Sequence, residues 1–269
     1  MTRWRHNSSP RPSSLPSRFC QKEVGRWIST RVSVLCGRLN VLSDPLAQFL
    51  LEAMDVEYQG FDQVNLSPTA DVFVLIQPVA GSVEAIPMRW WLVPAWSGGP
   101  STKYAMFNAR VESASRSPAF RGPYRTQRCL VPVSGYYEWT EHAGKKLPTL
   151  VRPRDSGGMF LGGLWDRWTK GDEEIMSFTI LTTQACENLS RIHARQPVIL
   201  SSSEALRWLD MSISTKALES VLRPRLSVAL ELVPVATYVN KSTNQLRECM
   251  EPIGEIATLE IDVPGGLLH

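Results

Sequence analysis

The sequence has no apolar run long enough to cross a lipid bilayer. Its most apolar stretch, Val72–Ile76, has the length of a strand, whereas a membrane-spanning helix needs roughly 20 residues. It has only four histidines, and its five cysteines form neither a CxxC pair nor a Cys/His cluster at zinc spacing. We therefore expect no membrane role, no metal and no organic cofactor. The odd number of cysteines, without a clear secretory signal, favours a reducing compartment, which is the cytoplasm around the nucleoid if the chain is bacterial.

Acidic residues are nearly absent from residues 1–35, which hold seven Lys or Arg and one Glu and are rich in Ser and Pro. This composition predicts a disordered extension or a mis-called start, and an organellar transit peptide would look the same. It also produces the formal charge of +3, because the remaining residues are acidic overall. Local clustering indicates phosphate binding better than net charge does. Residues 110–128 hold five arginines and one acid, although a solvated loop surface has the same pattern.

The order of apolar runs predicts one α+β domain over residues 36–245, followed by a C-terminal tail over residues 246–269. Ser43 is expected to cap an amphipathic helix with Pro45 in its first turn. Further helices are expected at 185–192, 204–210 (capped by Ser203) and 215–222. Short apolar runs between Gly, Pro and Ser predict strands at 71–77, 88–93, 129–133, 136–140, 149–151, 159–164, 178–182 and 232–235. Strands outnumber helices without regular alternation, which favours a curved, mostly antiparallel sheet or barrel-like β core with a few flanking helices.

Four short segments carry side chains suited to chemistry: Cys36-Gly37-Arg38, Asn108-Ala109-Arg110-Val111-Glu112, Gly135-Tyr136-Tyr137-Glu138-Trp139, and residues 192–200 (Ile-His-Ala-Arg-Gln-Pro-Val-Ile-Leu). They supply a thiol, an amide, a carboxylate and an imidazole. Each one alone also has a structural explanation, since a free cysteine is usually a buried apolar residue. In their order and spacing, however, the four resemble the SOS response-associated peptidase (SRAP) family, also called abasic site processing proteins. The resemblance runs from Cys36 to about Asn240.

The resemblance implies a protein of the DNA damage (SOS) response that binds single-stranded DNA and forms a covalent thiazolidine cross-link with abasic sites. In that family the cysteine becomes the N-terminal residue, so Cys36 would supply both an α-amine and a thiol. The resemblance further assigns Asn108 to contact this cysteine, Glu138 to move protons and His193 to act on the sugar. It implies an SRAP-type peptidase (hydrolase) or lyase-like DNA-trapping enzyme that acts as a monomer.

Arginine and tryptophan side chains are the expected contacts with DNA. Arg110 is predicted to hold a phosphate that flanks the lesion, and the same phosphate track is expected to include Arg38, Arg121 and Arg195. Trp90 or Trp91 is the candidate for stacking on an exposed base.

The sequence also departs from the family pattern. Trp91 replaces a common glycine, and Ala194 and Gln196 replace a common histidine and methionine.

Cys36 is internal in this sequence, and an acylated nitrogen cannot form an imine. Translation starting at Leu35 would free the amine after methionine removal, and this is the favoured explanation. Alternatively, the protein cuts itself before Cys36, or the extension persists and abolishes cross-linking. Two other functions fit the same residues: a thiol-dependent peptidase acting on protein substrates, and a noncatalytic module that binds single-stranded DNA.

Overall fold

A computed structural model of the chain describes residues 36–79, 81–142 and 144–262. The predicted extension, residues 1–35, lies outside the described residues. The strands β1 to β14 are Leu39–Val41, Gln63–Leu66, Asp71–Val79, Ser82–Trp90, Asn108–Arg110, Arg128–Val133, Gly135–His142, Lys145–Pro153, Met159–Lys170, Glu173–Gln184, Arg195–Pro197, Ile199–Leu200, Leu230–Pro234 and Ala257–Leu259. The helices α1 to α5 are Ser43–Met54, Val111–Ala114, Arg121–Thr126, Glu187–Ser190 and Ser202–Leu209, and 3-10 helices span Thr215–Leu222, Thr237–Asn240 and Arg247–Met250. Within the described ranges, no helix has the length and apolar character needed to cross a membrane.

Five strands close into a barrel. β3 pairs with β4 and β6, β6 with β9, β9 with β10, and β10 with β4, the last of these in parallel. Its apolar side chains, such as Leu130, Leu161 and Phe178, are fully buried, and each contributes about 1.5–3 kcal/mol to folding. A Cβ atom at Gly163 would lie only 2.9 Å from the sulfur of Cys129, so β9 needs glycine there to approach β6. The barrel confirms the predicted α+β fold class.

A second, antiparallel sheet carries the segment that begins at Cys36. Its strand order is β14-β13-β8-β7-β1-β2. β1 pairs with β7, with Leu39 opposite Tyr136. This sheet includes residues that the sequence assigned to the C-terminal tail, because β14 pairs with β13 and Cys249 is buried with Tyr137 in a small core cluster.

The longer helices lie where the sequence predicts them, but their N-cap residues differ from the predicted ones. α1 begins at Ser43, but its N-cap is Leu42 and no side chain caps it, because the Ser43 hydroxyl donates to Asp62 instead. α5 is capped by Ser201 in a capping box with Glu204, not by Ser203. The helix expected at 215–222 is a 3-10 helix. The short elements β1, β2, β5, β11, β12, β14, α2 and α3 were not predicted, because two to six residues are too few for a hydrophobic period to show.

Candidate functional site

The backbone nitrogen of Cys36 and the carboxyl group of Glu138 are in direct contact. The nitrogen donates a hydrogen bond to Glu138 Oε1 at 2.7 Å. The pairing of β1 with β7 brings the two together, because the Tyr137 N–H donates to the Arg38 carbonyl at 3.0 Å in the same ladder. The Cys36 side chain is completely buried and Glu138 is only 3% exposed. Two residues that lie 102 positions apart in the sequence therefore form one water-excluded pair.

Burial sets the protonation of this pair. It raises the pKa of Glu138 from 4.5 to about 8, against the opposing effect of the N–H groups of Cys36 and Trp139. Burial first, and the nearby Glu138 second, also raise the pKa of the Cys36 thiol well above its usual value. The second carboxyl oxygen, Glu138 Oε2, is buried without a hydrogen-bond partner among the described residues. At neutral pH the site therefore holds a neutral acid and a thiol rather than two anions.

Tyr136 connects this pair to the segment that carries His193. Burial raises the pKa of the Tyr136 phenol well above its usual value, and Glu138, Cys36 and Cys186 add to that shift. Cys36, Tyr136 and Cys186 belong to one cluster of buried residues. Cys186 is the N-cap of α4, and α4 leads directly into the loop of His193.

His193 is half-buried, and its own loop holds the ring. Nδ1 accepts a hydrogen bond from the Arg195 backbone N–H at 3.1 Å. Nδ1 also lies 3.2 Å from the Arg195 carbonyl oxygen, which would accept its proton in the charged ring. When Nδ1 accepts the Arg195 N–H, Nε2 carries the proton of the neutral ring, and the other tautomer would donate from Nδ1 to the Arg195 carbonyl. The first tautomer leaves an N–H on Nε2 for a partner outside the loop.

Gln196 closes the same loop at its base. Its Oε1 accepts the Cys186 N–H at 2.8 Å and its Nε2 donates to the Arg225 carbonyl at 2.9 Å. The residue that departs from the resembled pattern thus has its buried polar atoms hydrogen-bonded, as a glutamine in a core position requires.

Asn108 and Arg110 lie on β5, which pairs in parallel with β10. Asn108 is opposite Ile180 and Arg110 is opposite Thr182. Their side chains differ in exposure: Asn108 is partly buried and Arg110 is exposed, with the buried Ala109 between them anchoring the strand. β5 therefore places an amide toward the protein and a guanidinium on the surface.

The four arginines predicted to hold phosphate occupy different environments. Arg110 and Arg121 are exposed. Arg38 instead donates to Asn65 Oδ1 at 2.7 Å and to the Val239 carbonyl at 3.0 Å. Arg195 forms an ion pair with Glu112 at 3.0 Å. Charge counting alone could not distinguish these two groups, because the partners lie far away in the sequence.

Trp90 and Trp91 differ in burial. Trp90 is fully buried, its ring stacks on Phe178 and its Nε1 donates to the Phe107 carbonyl. This position does not fit the prediction that Trp90 stacks on a base. Trp91 is half-buried, contacts Phe107 and donates from Nε1 to the Ser101 carbonyl.

Among the exposed aromatic residues of the described chain, which include Phe61 and Tyr104, Trp96 is one that sequence reasoning missed. It is 69% exposed, and it borders a groove of about 430 Å³ whose lining includes Arg121, Arg125 and Asp166. Asp166 fixes the loop by accepting the Ala95 N–H at 2.9 Å. The neighbouring sequence could have indicated this exposure. A tryptophan directly before Ser97-Gly98-Gly99-Pro100 is typical of a loop rather than of a strand.

Fold and site together define a class of protein: an α+β barrel protein with a buried cysteine–glutamate pair, beside a histidine loop and a surface bearing arginine and tryptophan. The comparisons with known proteins place it more closely. Residues 35–242 match the SOS response associated peptidase (SRAP) family, and the chain belongs to that family.

Two relatives and one solved structure illustrate the similarity. The chain is 30% identical to the abasic site processing protein YoqW of Bacillus subtilis (strain 168), over 81% of this chain and 99% of that protein. It is 32% identical to the abasic site processing protein HMCES of Gallus gallus, over 66% of this chain and 61% of that protein. A crystal structure of a protein from Bacteroides thetaiotaomicron has a TM-score of 0.67 and 25% identity, over 81% of this chain and 100% of that one.

Proposed function

We propose that this protein processes abasic sites in single-stranded DNA by forming a covalent adduct through Cys36. The observation that carries the proposal is the 2.7 Å contact between the Cys36 nitrogen and a Glu138 carboxyl whose pKa is raised to about 8. A buried carboxyl group that touches the reacting nitrogen can exchange protons with it, and a free α-ammonium group would lower the raised pKa of this carboxyl toward neutral pH, which suits imine chemistry. The names of the relatives, which are abasic site processing proteins, support the same substrate.

The chemistry requires the α-amine of Cys36. The amine attacks the aldehyde carbon of the ring-opened sugar and a C–N bond forms. The C–O bond then breaks and the oxygen leaves as water with one proton from the amine and one from Glu138, while the second amine proton returns to Glu138. The thiol then adds to the imine carbon, a C–S bond forms and the thiol proton passes to the nitrogen. The product is a five-membered thiazolidine ring. We assign to His193 the role of proton donor to the sugar, through the Nε2 proton of its neutral ring.

The DNA strand is proposed to cross the surface formed by Arg110, Arg121 and Trp96. Exposed guanidinium groups bind phosphates, and an exposed indole stacks on an unpaired base with about 1–3 kcal/mol per base. Trp96 stands beside Arg121 and Arg125 at the groove, so one nucleotide can contact an aromatic face and a cation together. This arrangement favours single strands, in which bases are free to stack.

The test is adduct formation with an abasic oligonucleotide and with an intact one of the same sequence. The protein is made from the full-length gene, and its mass is measured before and after incubation, which reports the N-terminus and the adduct together. We expect an adduct only with abasic DNA and only from molecules that begin at Cys36. An adduct that persists in Cys36→Ala, or that forms while Met1 is still in place, would refute the proposal.

Cys36→Ser is the matched control in molecules that begin at residue 36, because there it keeps the amine and replaces only the thiol. An imine without a thiol cannot close the thiazolidine. We expect Cys36→Ser to give an adduct that is trapped by borohydride but hydrolyses without it. A durable adduct from Cys36→Ser would show that the thiol does not take part.

We also infer an autoproteolytic peptidase activity that cuts before Cys36. Cys36 has a φ of 44°, in the left-handed region that costs a residue with a side chain about 1–2 kcal/mol. Glu138 contacts the nitrogen that would leave and is positioned to protonate it. If cleavage is intramolecular, the mass of the full-length protein falls to that of the Cys36 form at a rate independent of protein concentration, and Glu138→Gln slows the change. A Cys36→Ala protein cleaved at the same rate would contradict this activity.

A further inference from the structure

We propose that Glu112 is a positioning residue for His193, acting through Arg195. This inference deepens the proposed function, since it concerns the residue assigned to the sugar. The geometry links the two residues in two steps: Glu112 holds the Arg195 side chain, and the Arg195 backbone holds the His193 ring. Glu112 itself lies at the start of α2, directly after the strand of Asn108 and Arg110.

The first step is a two-point ion pair. Arg195 Nη1 donates to Glu112 Oε1 at 3.1 Å, and Nη2 donates to Oε2 at 3.0 Å. Parallel bonds of this kind fix the direction of both side chains as well as their distance. The Arg195 side chain is only 18% exposed and that of Glu112 is 46% exposed. Burial raises the pKa of Glu112, but the hydrogen bond from Arg195 and the nearby positive charges lower it. The pKa of Glu112 is therefore lowered overall.

Thr182 on β10 completes the hold on the guanidinium. Arg195 Nη2 donates to the Thr182 carbonyl at 2.6 Å and Nε donates to its hydroxyl at 3.3 Å. Four of the five N–H groups of Arg195 are thus bound to acceptors within the described part of the chain, and one on Nη1 is left. A phosphate could bind that single N–H, but a two-point phosphate contact would require breaking the pair with Glu112.

The second step runs through the backbone of Arg195. This residue pairs with Gln184 at the start of β11, and its N–H is the donor to His193 Nδ1 at 3.1 Å. A shift of Arg195 therefore shifts the donor that sets the neutral tautomer of His193. Because β5 and β11 both pair with β10, the Glu112–Arg195 pair bridges the two strands that flank β10. It fixes the imidazole of His193 relative to the amide of Asn108.

Glu112→Gln tests the proposal, because it keeps the size of the side chain and removes its charge. We expect the rate of adduct formation at saturating abasic DNA to fall about tenfold, as a displaced catalytic group costs at least this much. The affinity for intact single-stranded DNA should stay unchanged or increase, because the substitution removes a negative charge beside Arg110. Arg195→Lys should lower the rate similarly, and the double variant should lower it no further than either single one.

Glu174→Gln is the matched control. Glu174 forms an exposed ion pair with Arg167 across the β9–β10 hairpin, so it tests the loss of a Glu–Arg pair outside the site. We expect neither its adduct rate nor its DNA affinity to change. A loss of rate equal to that of Glu112→Gln would mean that the effect is a general loss of stability, and would overturn the proposal.

A spectroscopic measurement on the full-length chain makes the test independent of adduct formation. Nitrogen NMR of the histidine rings, with His193 assigned by its loss in His193→Gln, reports which ring nitrogen carries the proton. In the unmodified chain we expect the signal of the tautomer protonated at Nε2. In Glu112→Gln we expect the His193 signal to move toward the average of the two tautomers. An unchanged His193 signal would refute the positioning role. A protein that forms no adduct at all would refute the proposed function, while this signal would still decide the role of Glu112.

DNA affinity distinguishes positioning from binding. If Glu112→Gln or Arg195→Lys weakens the binding of intact single-stranded DNA but leaves the saturated rate unchanged, Arg195 acts as a phosphate ligand. That result would also overturn the proposal.

Discussion

The buried carboxyl group of Glu138 should make the stability of this protein fall as the pH rises. Its pKa is 4.5 in the unfolded chain and about 8 in the folded one. Between these values the folded state holds one proton more than the unfolded state. Its contribution to stability is complete below the unfolded pKa and is lost as the pH rises through the folded pKa, with a slope of about 1.4 kcal/mol per pH unit.

Glu138→Gln isolates this contribution. Glutamine keeps an oxygen that accepts the Cys36 N–H, but it does not titrate. From pH 5 to pH 8 we expect the free energy of unfolding of the unmodified protein to fall, relative to Glu138→Gln, by roughly 3–4 kcal/mol. The assay is urea unfolding of both proteins at each pH unit. At a slope of about 2–3 kcal/mol per molar urea, the difference between the two midpoints should change by about 1–2 M.

Parallel midpoints for the two proteins across this pH range would refute the reasoning, because Glu138 would then titrate near its unfolded value. The protein that begins at Cys36 supplies an internal check. A free α-ammonium group at 2.7 Å from the carboxyl group favours the carboxylate and lowers the pKa of Glu138. We therefore expect a smaller slope in that form than in the full-length chain.

Four further substitutions separate packing from DNA contact. Trp96→Ala should weaken binding of single-stranded DNA by about 1–3 kcal/mol with little loss of stability. Trp90→Ala should instead lower the free energy of unfolding by about 3–5 kcal/mol. If the two variants had equal effects in binding and in denaturation assays, this distinction would be wrong. Arg110→Ala should reduce the salt dependence of binding by about 0.7 in log–log slope, and an unchanged slope in a salt titration would argue against a phosphate contact. Arg38→Ala should leave that slope unchanged and lower the free energy of unfolding by about 1–3 kcal/mol, because it leaves Asn65 Oδ1 short of a donor.

The sequence predicted a curved sheet or barrel-like core because short apolar runs, such as 159–164 and 178–182, lie within strands that have 12 residues in the structure. Continuous apolar runs in β6, β9 and β10 are fully buried on both faces, and such runs stand out without any knowledge of the partners. β5 has three residues and shows no period, so the strand that carries Asn108 was visible only as part of a motif.

Family resemblance predicted the residues of the site, but the sequence could not predict the contacts between them. Nothing local indicates that Cys36 and Glu138 meet across 102 residues. Arg195 and Arg110 have the same chemistry in the sequence, but only Arg195 meets Glu112, which lies 83 residues away. Trp90 and Trp96 differ for the same reason: strand pairing buries one ring and a turn exposes the other.

The complete burial of the Cys36 side chain also bears on how long the residue lasts in a cell. Oxidants and alkylating agents react with the thiolate, and with thiols that they can reach. A sulfur held protonated and away from solvent resists both, so burial favours the reduced thiol. Under the proposed function this shielding matters, since a molecule whose Cys36 is oxidised beforehand cannot close the thiazolidine ring.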